Sequence, residues 1–295
     1  MAISIGLAGW GDHDSLYPAG TKPGNRLSVY GSHFPVVEVD STFYAIQPQE
    51  RFAAWVSGSP ASLRFVVKAY QGMTGHQRGP AAAAHDPNAM SEAFCRMLEP
   101  ALSSGRLTAA LFQYPPWFDC TSRNVKGLRE MKRRMEGFPC ALEFRHQSWF
   151  QGDMRERTLA FMREEGWIHS VCDEPQAGIG SIPEVLEATD AETTLVRFHG
   201  RNAAHWNNGG GPNWREVRYL YQYSDEELLE WKSKLETLAE KSREVAVIFN
   251  NNSGGHAAGN AKTLMAMLGQ RKPDGGDPLA SLPAQPPPPE QLELF

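Results

Sequence analysis

Leu107-Thr108-Ala109-Ala110-Leu111-Phe112 runs into Gln113-Tyr114-Pro115-Pro116, then into a basic amphipathic segment from Arg123 to Met135, then into Cys140-Ala141-Leu142-Glu143-Phe144. Both outer runs are almost continuously apolar, as strands buried on both faces of a parallel sheet should be. The segment between them has helical spacing, so the three pieces predict strand, helix and second parallel strand. Similar runs recur in both directions: Ile3–Ala8, Val36–Val39, Leu63–Val67, Trp167–Cys172, Leu195–Phe198 and Val245–Phe249. The intervening segments suit helices over Gln49–Ser57, Asn88–Ser103, Met154–Glu165, Asp225–Lys241 and Ala257–Leu268. Ser224 and Glu227 form a capping-box signature at the start of the fourth of these, and Gly166 and Gly269 mark helix ends. Strand and helix alternating eight times predict a single (β/α)8 TIM barrel over residues 1–269. A doubly wound open sheet is the main alternative, and the lack of a G-x-G-x-x-G after the first strand counts against it.

The chain of 295 residues is of a length for one such barrel, and its hydrophobic fraction of 41% supplies a sizeable core. A net charge of −5 excludes a generally basic nucleic-acid coat, so an anion site must be a local cluster. Cys95, Cys120, Cys140 and Cys172 form no C-x-x-C pair, which argues against structural zinc or a disulfide framework and for buried thiols. The N-terminus lacks a basic start and apolar run, and no stretch approaches the ~20 apolar residues of a membrane span, so the expected location is cytoplasmic with no membrane contact. Residues 270–289, rich in proline and glycine, read as a disordered linker. It leads to a short peptide, 290–295, whose Leu292, Leu294 and Phe295 have no local core to join.

In a barrel the site forms where the strands end. Those ends carry Lys68, Gln113, Glu143 with Arg145, Asp173, Arg197 with His199 and Arg201, and Asn250 with Asn251. Lys68, Arg145, Arg197 and Arg201 would ring one mouth with cations suited to phosphate or carboxylate, with Gln113, Asn250 and Asn251 as further substrate contacts. Glu143, Asp173 and His199 are candidate general acids and bases or metal ligands. A divalent metal is chemically conceivable there, but no H-x-x-x-H or D-x-D spacing supports one. Lys68, following Phe65-Val66-Val67, could also be a desolvated amine nucleophile, with phosphate binding the simpler role. The competing structural reading is an internal ion-pair network, such as Arg145 with Glu143 or Asp173. Aromatics near the same ends, among them Phe43, Tyr44, Tyr70, Tyr114, Trp117, Trp149, Phe198 and Trp206, suit stacking of bases or sugars, or a hydrophobic rim that packs the loops.

Six of these segments, in order, resemble the YecE-like family, a domain of unknown function: Glu38-Val39-Asp40-Ser41-Thr42-Phe43-Tyr44, Phe65-Val66-Val67-Lys68-Ala69, Phe112-Gln113-Tyr114-Pro115-Pro116, Leu142-Glu143-Phe144-Arg145-His146-Gln147-Ser148-Trp149, Val196-Arg197-Phe198-His199-Gly200-Arg201 and Phe249-Asn250-Asn251-Asn252. The resemblance runs from Ile5 to Leu268 and implies a (β/α)8 barrel, a fold that has been likened in this family to the metal-dependent nuclease endonuclease IV. Asp40 stands where the family usually has asparagine. Gly6-Leu7-Ala8-Gly9-Trp10 stands where it more often has Thr-Ser-Gly-Trp. This chain lacks an evident histidine and carboxylate set for a three-metal cluster. Separately, Gln291-Leu292-Glu293-Leu294-Phe295 resembles the peptide by which bacterial repair proteins dock on the replicative sliding clamp. These resemblances imply an enzyme acting at the mouth on nucleic acid or another phosphate-bearing substrate, a DNA-repair nuclease recruited by the clamp being one form. The alternatives are a sugar-phosphate isomerase, epimerase or aldolase, and a non-catalytic anion-binding barrel.

Overall fold

The structure, a computed structural model, describes residues 2–77, 86–206 and 214–280. The expected clamp-binding peptide 290–295, with Gln291, Leu292, Leu294 and Phe295, and linker residues 281–289 lie outside the described residues. The strands are β1 (Ala2–Ala8), β2 (Val36–Val39), β3 (Arg64–Lys68), β4 (Leu107–Gln113), β5 (Cys140–Glu143), β6 (Ile168–Asp173), β7 (Thr193–Phe198) and β8 (Glu244–Phe249). They pair in sequence order, all parallel, and β1 closes on β8 from Ala2 opposite Glu244 to Leu7 opposite Phe249. This is the expected (β/α)8 barrel.

The ring of helices comprises α1 (Arg26–His33), α2 (Gln49–Ser57), α3 (Pro87–Ser103), α4 (Ser122–Arg134), α5 (Met154–Glu165), α6 (Asp225–Lys241) and α7 (His256–Met267). Local chemistry sets their ends. Asp86 accepts from the Asn88 amide ahead of α3, and Thr121 accepts from that of Asn124 ahead of α4. Ser224 and Glu227 cap each other's backbone at the start of α6. Gly166, at φ +70°, takes the left-handed turn that ends α5. Two departures from the sequence expectation stand out. Helix α1 is present although its pattern is short, burying Leu27, Tyr30 and Gly31. Conversely, residues 174–192 between β6 and β7 form no helix, because Pro175, Gly178, Gly180 and Pro183 interrupt the segment. The eightfold strand–helix alternation therefore fails at that one connection.

Strand pleating divides the core into two layers. Val36, Val66, Ala109, Leu111, Ala141, Ile168, Leu195, Ala246 and Ile248 fill the lumen, while Ile5, Val37, Val39, Phe65, Val67, Phe112, Val171, Val196 and Phe249 pack outward among the helices. The Tyr30 hydroxyl is wedged between β1 and β2. It accepts from the Leu7 amide at 2.7 Å and donates to the Val36 carbonyl at 2.8 Å. Gly6 makes room for this junction, since a Cβ there would lie 1.8 Å from the Val36 oxygen. Contacts with the barrel continue past Gly269: the Gln270 side-chain amide donates to the Ile3 carbonyl, and turns follow at Lys272–Gly276 and up to Ala280. Among the described residues, no helix is long and apolar enough to cross a membrane.

Candidate functional site

The two-residue period of each strand decides which polar residues enter the mouth. On β5, Ala141 faces the lumen, so Glu143 and, one step beyond the strand, Arg145 follow it inward. The same parity from Val36, Val66, Leu111, Leu195 and Ile248 brings in Glu38, Lys68, Gln113, Arg197 with His199, and Asn250.

Glu143 is the hub. Its Oε2 accepts from Arg197 Nη1 at 2.7 Å and from the Ser170 hydroxyl at 3.2 Å. Its Oε1 accepts from Gln113 Nε2 at 2.6 Å and lies 2.7 Å from Arg145 Nη2. The other edge of Arg197 grips Glu38 with two parallel bonds, Nε to Oε2 at 2.8 Å and Nη2 to Oε1 at 2.7 Å. Arg145 Nη1 donates to Glu174 at 2.5 Å, and the second Glu174 oxygen accepts from the Ile182 amide at 2.7 Å. His199 Nε2 lies 2.8 Å from Arg145 Nη2, and the Asn250 amide lies 3.0 Å from Nδ1. The result is a five-residue ionic floor, Glu38–Arg197–Glu143–Arg145–Glu174, fully buried apart from a sliver of Arg145.

Electrostatics fixes the protonation of this floor. Burial alone would raise the Glu143 carboxyl, but Arg197 and Arg145 outweigh it and hold it well below the usual range. Burial, reinforced by Arg145, keeps His199 a neutral imidazole. For Glu174 burial prevails over Arg145 and raises the carboxyl to about 7.

Three expected site residues point elsewhere. Asp173 is one position out of phase with Glu174 and faces the helices, where it accepts from Trp231 Nε1 at 2.7 Å and Arg201 Nε at 2.9 Å. Arg201 continues to Glu227 at 3.0 Å, tying β6 to the start of α6. Asn251 donates to the Tyr221 carbonyl and to Asn260, fixing a loop. These are corrections to the expected convergence: a one-residue step along a strand moves a side chain to the other face. The anticipated pairing of Arg145 is with Glu143 and Glu174, and Asp173 takes Arg201 instead.

The metal candidate fares no better. Asp173 is on the wrong face, leaving Glu143, Cys172 and His199, whose donor atoms lie within 4.8 Å of one another. Those donors do not fit a cation. Arg145 Nη2 already sits 2.7 Å from Glu143 and 2.8 Å from His199, and burial pushes the Cys172 thiol well above its ordinary value, so no thiolate is offered.

Above the floor opens a cavity of about 750 Å³. Its walls hold Lys68, His76, Arg145, Arg218 and Tyr219, the aromatic rings of Phe43, Tyr44, Trp117, Trp206 and Trp214, and Asp12 and Asp40 on the β1–β2 side. The Lys68 ammonium lies 4.7 Å from the centre of the Phe43 ring. Arg218 stacks on Trp206 at 4.1 Å, and Arg145 approaches the same indole at 5.4 Å. Neither Lys68 nor Arg218 has a carboxylate partner among the described residues, and Arg218 Nε is buried without an acceptor there. The field of these cations reaches their neighbours. Burial first, then Lys68 and Arg145, depress His76 to about 4. Burial would raise the Tyr219 phenol, but Arg218, Arg145, Lys68 and Arg197 together bring it below its ordinary value. Sequence reasoning did not single out Glu38, Glu174, His76, Arg218 or Tyr219 as site residues. Strand parity could have found the first two; His76 and Tyr219 lie in loops and Arg218 ends a helix of five residues, Trp214–Arg218, too short for a period to read.

Comparison with known proteins agrees with the six-segment resemblance. UPF0759 protein YunF of Bacillus subtilis (strain 168) is 55% identical over 267 residues, covering 90% of this chain and 94% of that protein. A crystal structure of a DUF72 family protein from Enterococcus faecalis V583 superposes with a TM-score of 0.85 at 34% identity, covering 96% of this chain and 99% of that one. Another, from Thermotoga maritima MSB8, gives 0.78 at 30% identity, over 92% and 100%. The family model described as protein of unknown function DUF72 matches residues 4–287, and the chain belongs to that family.

Proposed function

We propose that the barrel binds and transforms a small anionic metabolite, carrying a phosphate or carboxylate, in the cavity above the ionic floor. The observation that carries this reading is the pair of cations, Lys68 and Arg218, that line one cavity without a carboxylate partner among the described residues. A buried or half-buried cation without a counter-ion is costly, and an anionic ligand supplies the missing charge. The volume of about 750 Å³ suits a metabolite or mononucleotide, within the roughly 300–1,000 Å³ usual for such sites. The indole and phenyl faces of Trp206, Trp214 and Phe43 would pack a sugar ring or base. Size favours this over a nucleic-acid duplex as occupant. Docking of residues 291–295 on a sliding clamp stays a separate proposal resting on their sequence alone.

The test is thermal denaturation with ribose 5-phosphate, a nucleoside monophosphate and citrate, in wild type and Arg218→Gln. A ligand at 100 times its Kd adds about 2.7 kcal/mol. Stabilisation by at least one of them that disappears in Arg218→Gln supports the reading. No stabilisation by any, or equal stabilisation of the variant, overturns it.

A further inference from the structure

Lys68 ends β3 in phase with Val66, so it enters the lumen just above the ionic floor. Of the acids near it, Arg197 holds Glu38 along both oxygens and Glu143 is shared by Arg197 and Arg145, while Asp40 lines the same cavity and feels the Lys68 charge without forming an ion pair with it. Its only partner among the described residues is the face of Phe43. A lysine that serves only to hold an anion gains from a carboxylate or backbone carbonyls that keep it charged. This one forms no ion pair among the described residues, and burial, with Arg197 next, lowers its pKa, while Glu38, Tyr219 and Glu143 oppose that shift without reversing it. The anion-holding role has another occupant in Arg218, whose guanidinium stays charged whatever its surroundings. Tyr219 lines the same cavity, with its phenol brought down by the same cations.

We infer that Lys68 is an amine nucleophile that condenses with the carbonyl carbon of a small aldehyde or ketone bearing a carboxylate or phosphate. This deepens the anion reading above and rests on it. The ammonium first gives a proton to water. The free amine adds to the carbonyl, forming the N–C bond as the carbonyl π pair moves to oxygen, which takes up a proton released by the attacking nitrogen. The carbinolamine then loses that oxygen as water, with the first proton returned to it, leaving an iminium on Nζ. Ammonium plus carbonyl thus becomes iminium plus water with no net change in charge and no oxidant or reductant. The iminium withdraws electrons from the adjacent carbon, which is the requirement for proton abstraction or carbon–carbon cleavage there.

The experiment uses the full chain with glyoxylate, the smallest aldehyde carrying a carboxylate, and with formaldehyde, which carries no charge. Each is reduced in place with cyanoborohydride, and labelled lysines are located by mass spectrometry. The expected result is labelling of Lys68 about tenfold or more faster than exposed Lys126 at pH 7, since each unit of lowered pKa gives about tenfold more free amine. Glyoxylate should favour Lys68 over Lys126 more strongly than formaldehyde does, and Arg218→Gln should erase that extra preference. Lys68→Arg, checked for an unchanged melting temperature, should lose the adduct and keep anion stabilisation. If Lys68 is labelled no faster than Lys126 by either aldehyde while anions still stabilise the protein, Lys68 is an anion contact and the nucleophile inference is wrong. If no anion stabilises the wild type, the underlying reading fails instead, whatever the labelling.

Discussion

Arg197→Met tests whether the ionic floor is a structural element. The substitution removes three charge-assisted bonds, two to Glu38 at 2.8 and 2.7 Å and one to Glu143 at 2.7 Å. Glu143 keeps Arg145, Gln113 and Ser170, so its loss is partial. Glu38 loses both of its ion-pair bonds while remaining fully buried. Breaking a buried pair by removing one member costs about 3–5 kcal/mol, because the remaining charge is uncompensated. At about 2 °C per kcal/mol for a chain of this size, the melting temperature should fall by roughly 6–10 °C. Removing the stranded carboxylate as well, in Glu38→Leu/Arg197→Met, should recover about 1–3 kcal/mol of that loss, the coupling typical of residues in one network. Denaturant unfolding of wild type, both single variants and the double variant measures it. A loss below about 1 kcal/mol in Arg197→Met, or a double variant that is merely additive, would show that the floor is not held as a unit.

Other outcomes follow from the same geometry. His76 is depressed from 6.5 to about 4, so its contribution to stability is present above pH 6.5 and fades as pH falls toward 4. An anion bound among Lys68 and Arg145 should raise that pKa, and an NMR titration in which saturating ligand leaves it unmoved counts against the site. Asp173→Asn should destabilise the barrel by about 1–3 kcal/mol through Trp231 and Arg201 while leaving ligand affinity unchanged, and a calorimetric loss of affinity would return Asp173 to the mouth. Tyr30→Phe should cost about 1–3 kcal/mol by stranding the Leu7 amide and the Val36 carbonyl, and a neutral effect on chemical denaturation would refute the wedge. Deleting residues 290–295 should abolish binding to a sliding clamp by calorimetry and leave the melting temperature unchanged, whereas a destabilised barrel would identify the tail as a packing element.

The barrel was legible because parallel strands buried on both faces carry unbroken apolar runs, and Val245–Phe249 or Leu107–Phe112 admit few other readings. Helix α6 was equally plain, its capping box visible as Ser224 and Glu227. Helix α1 was not, since eight residues with three buried give too short a period to recognise. At the site, clustering at strand ends drew attention to suitable residue types but could not orient them. Asp173 and Glu174 are adjacent and chemically alike, and only the inward phase of Ile168 and Ser170 shows that Glu174 enters the lumen. The same phase separates Asn250 from Asn251. Arg218 and Tyr219 were out of reach for a different reason: the short helix Trp214–Arg218 and the turn after it are positioned over the mouth by tertiary packing on Trp206.

This sorting moves the chemistry upward from where the sequence put it. Glu143, the most conspicuous carboxylate, has Oε1 within bonding distance of Gln113 and Arg145, has Oε2 taken by Arg197 and Ser170, and is held well below the range in which it could pass a proton near neutrality. His199 is neutral, wholly buried and packed between Arg145, Glu143 and Asn250, so it orients rather than exchanges protons with a ligand. Arg197 has both edges occupied. The floor is therefore saturated, and its part is to fix the positions and the positive potential of what lies above it. Lys68 and Arg218 face the cavity without a carboxylate partner among the described residues, Tyr219 lies beside them, and the reaction proposed above would draw on these three.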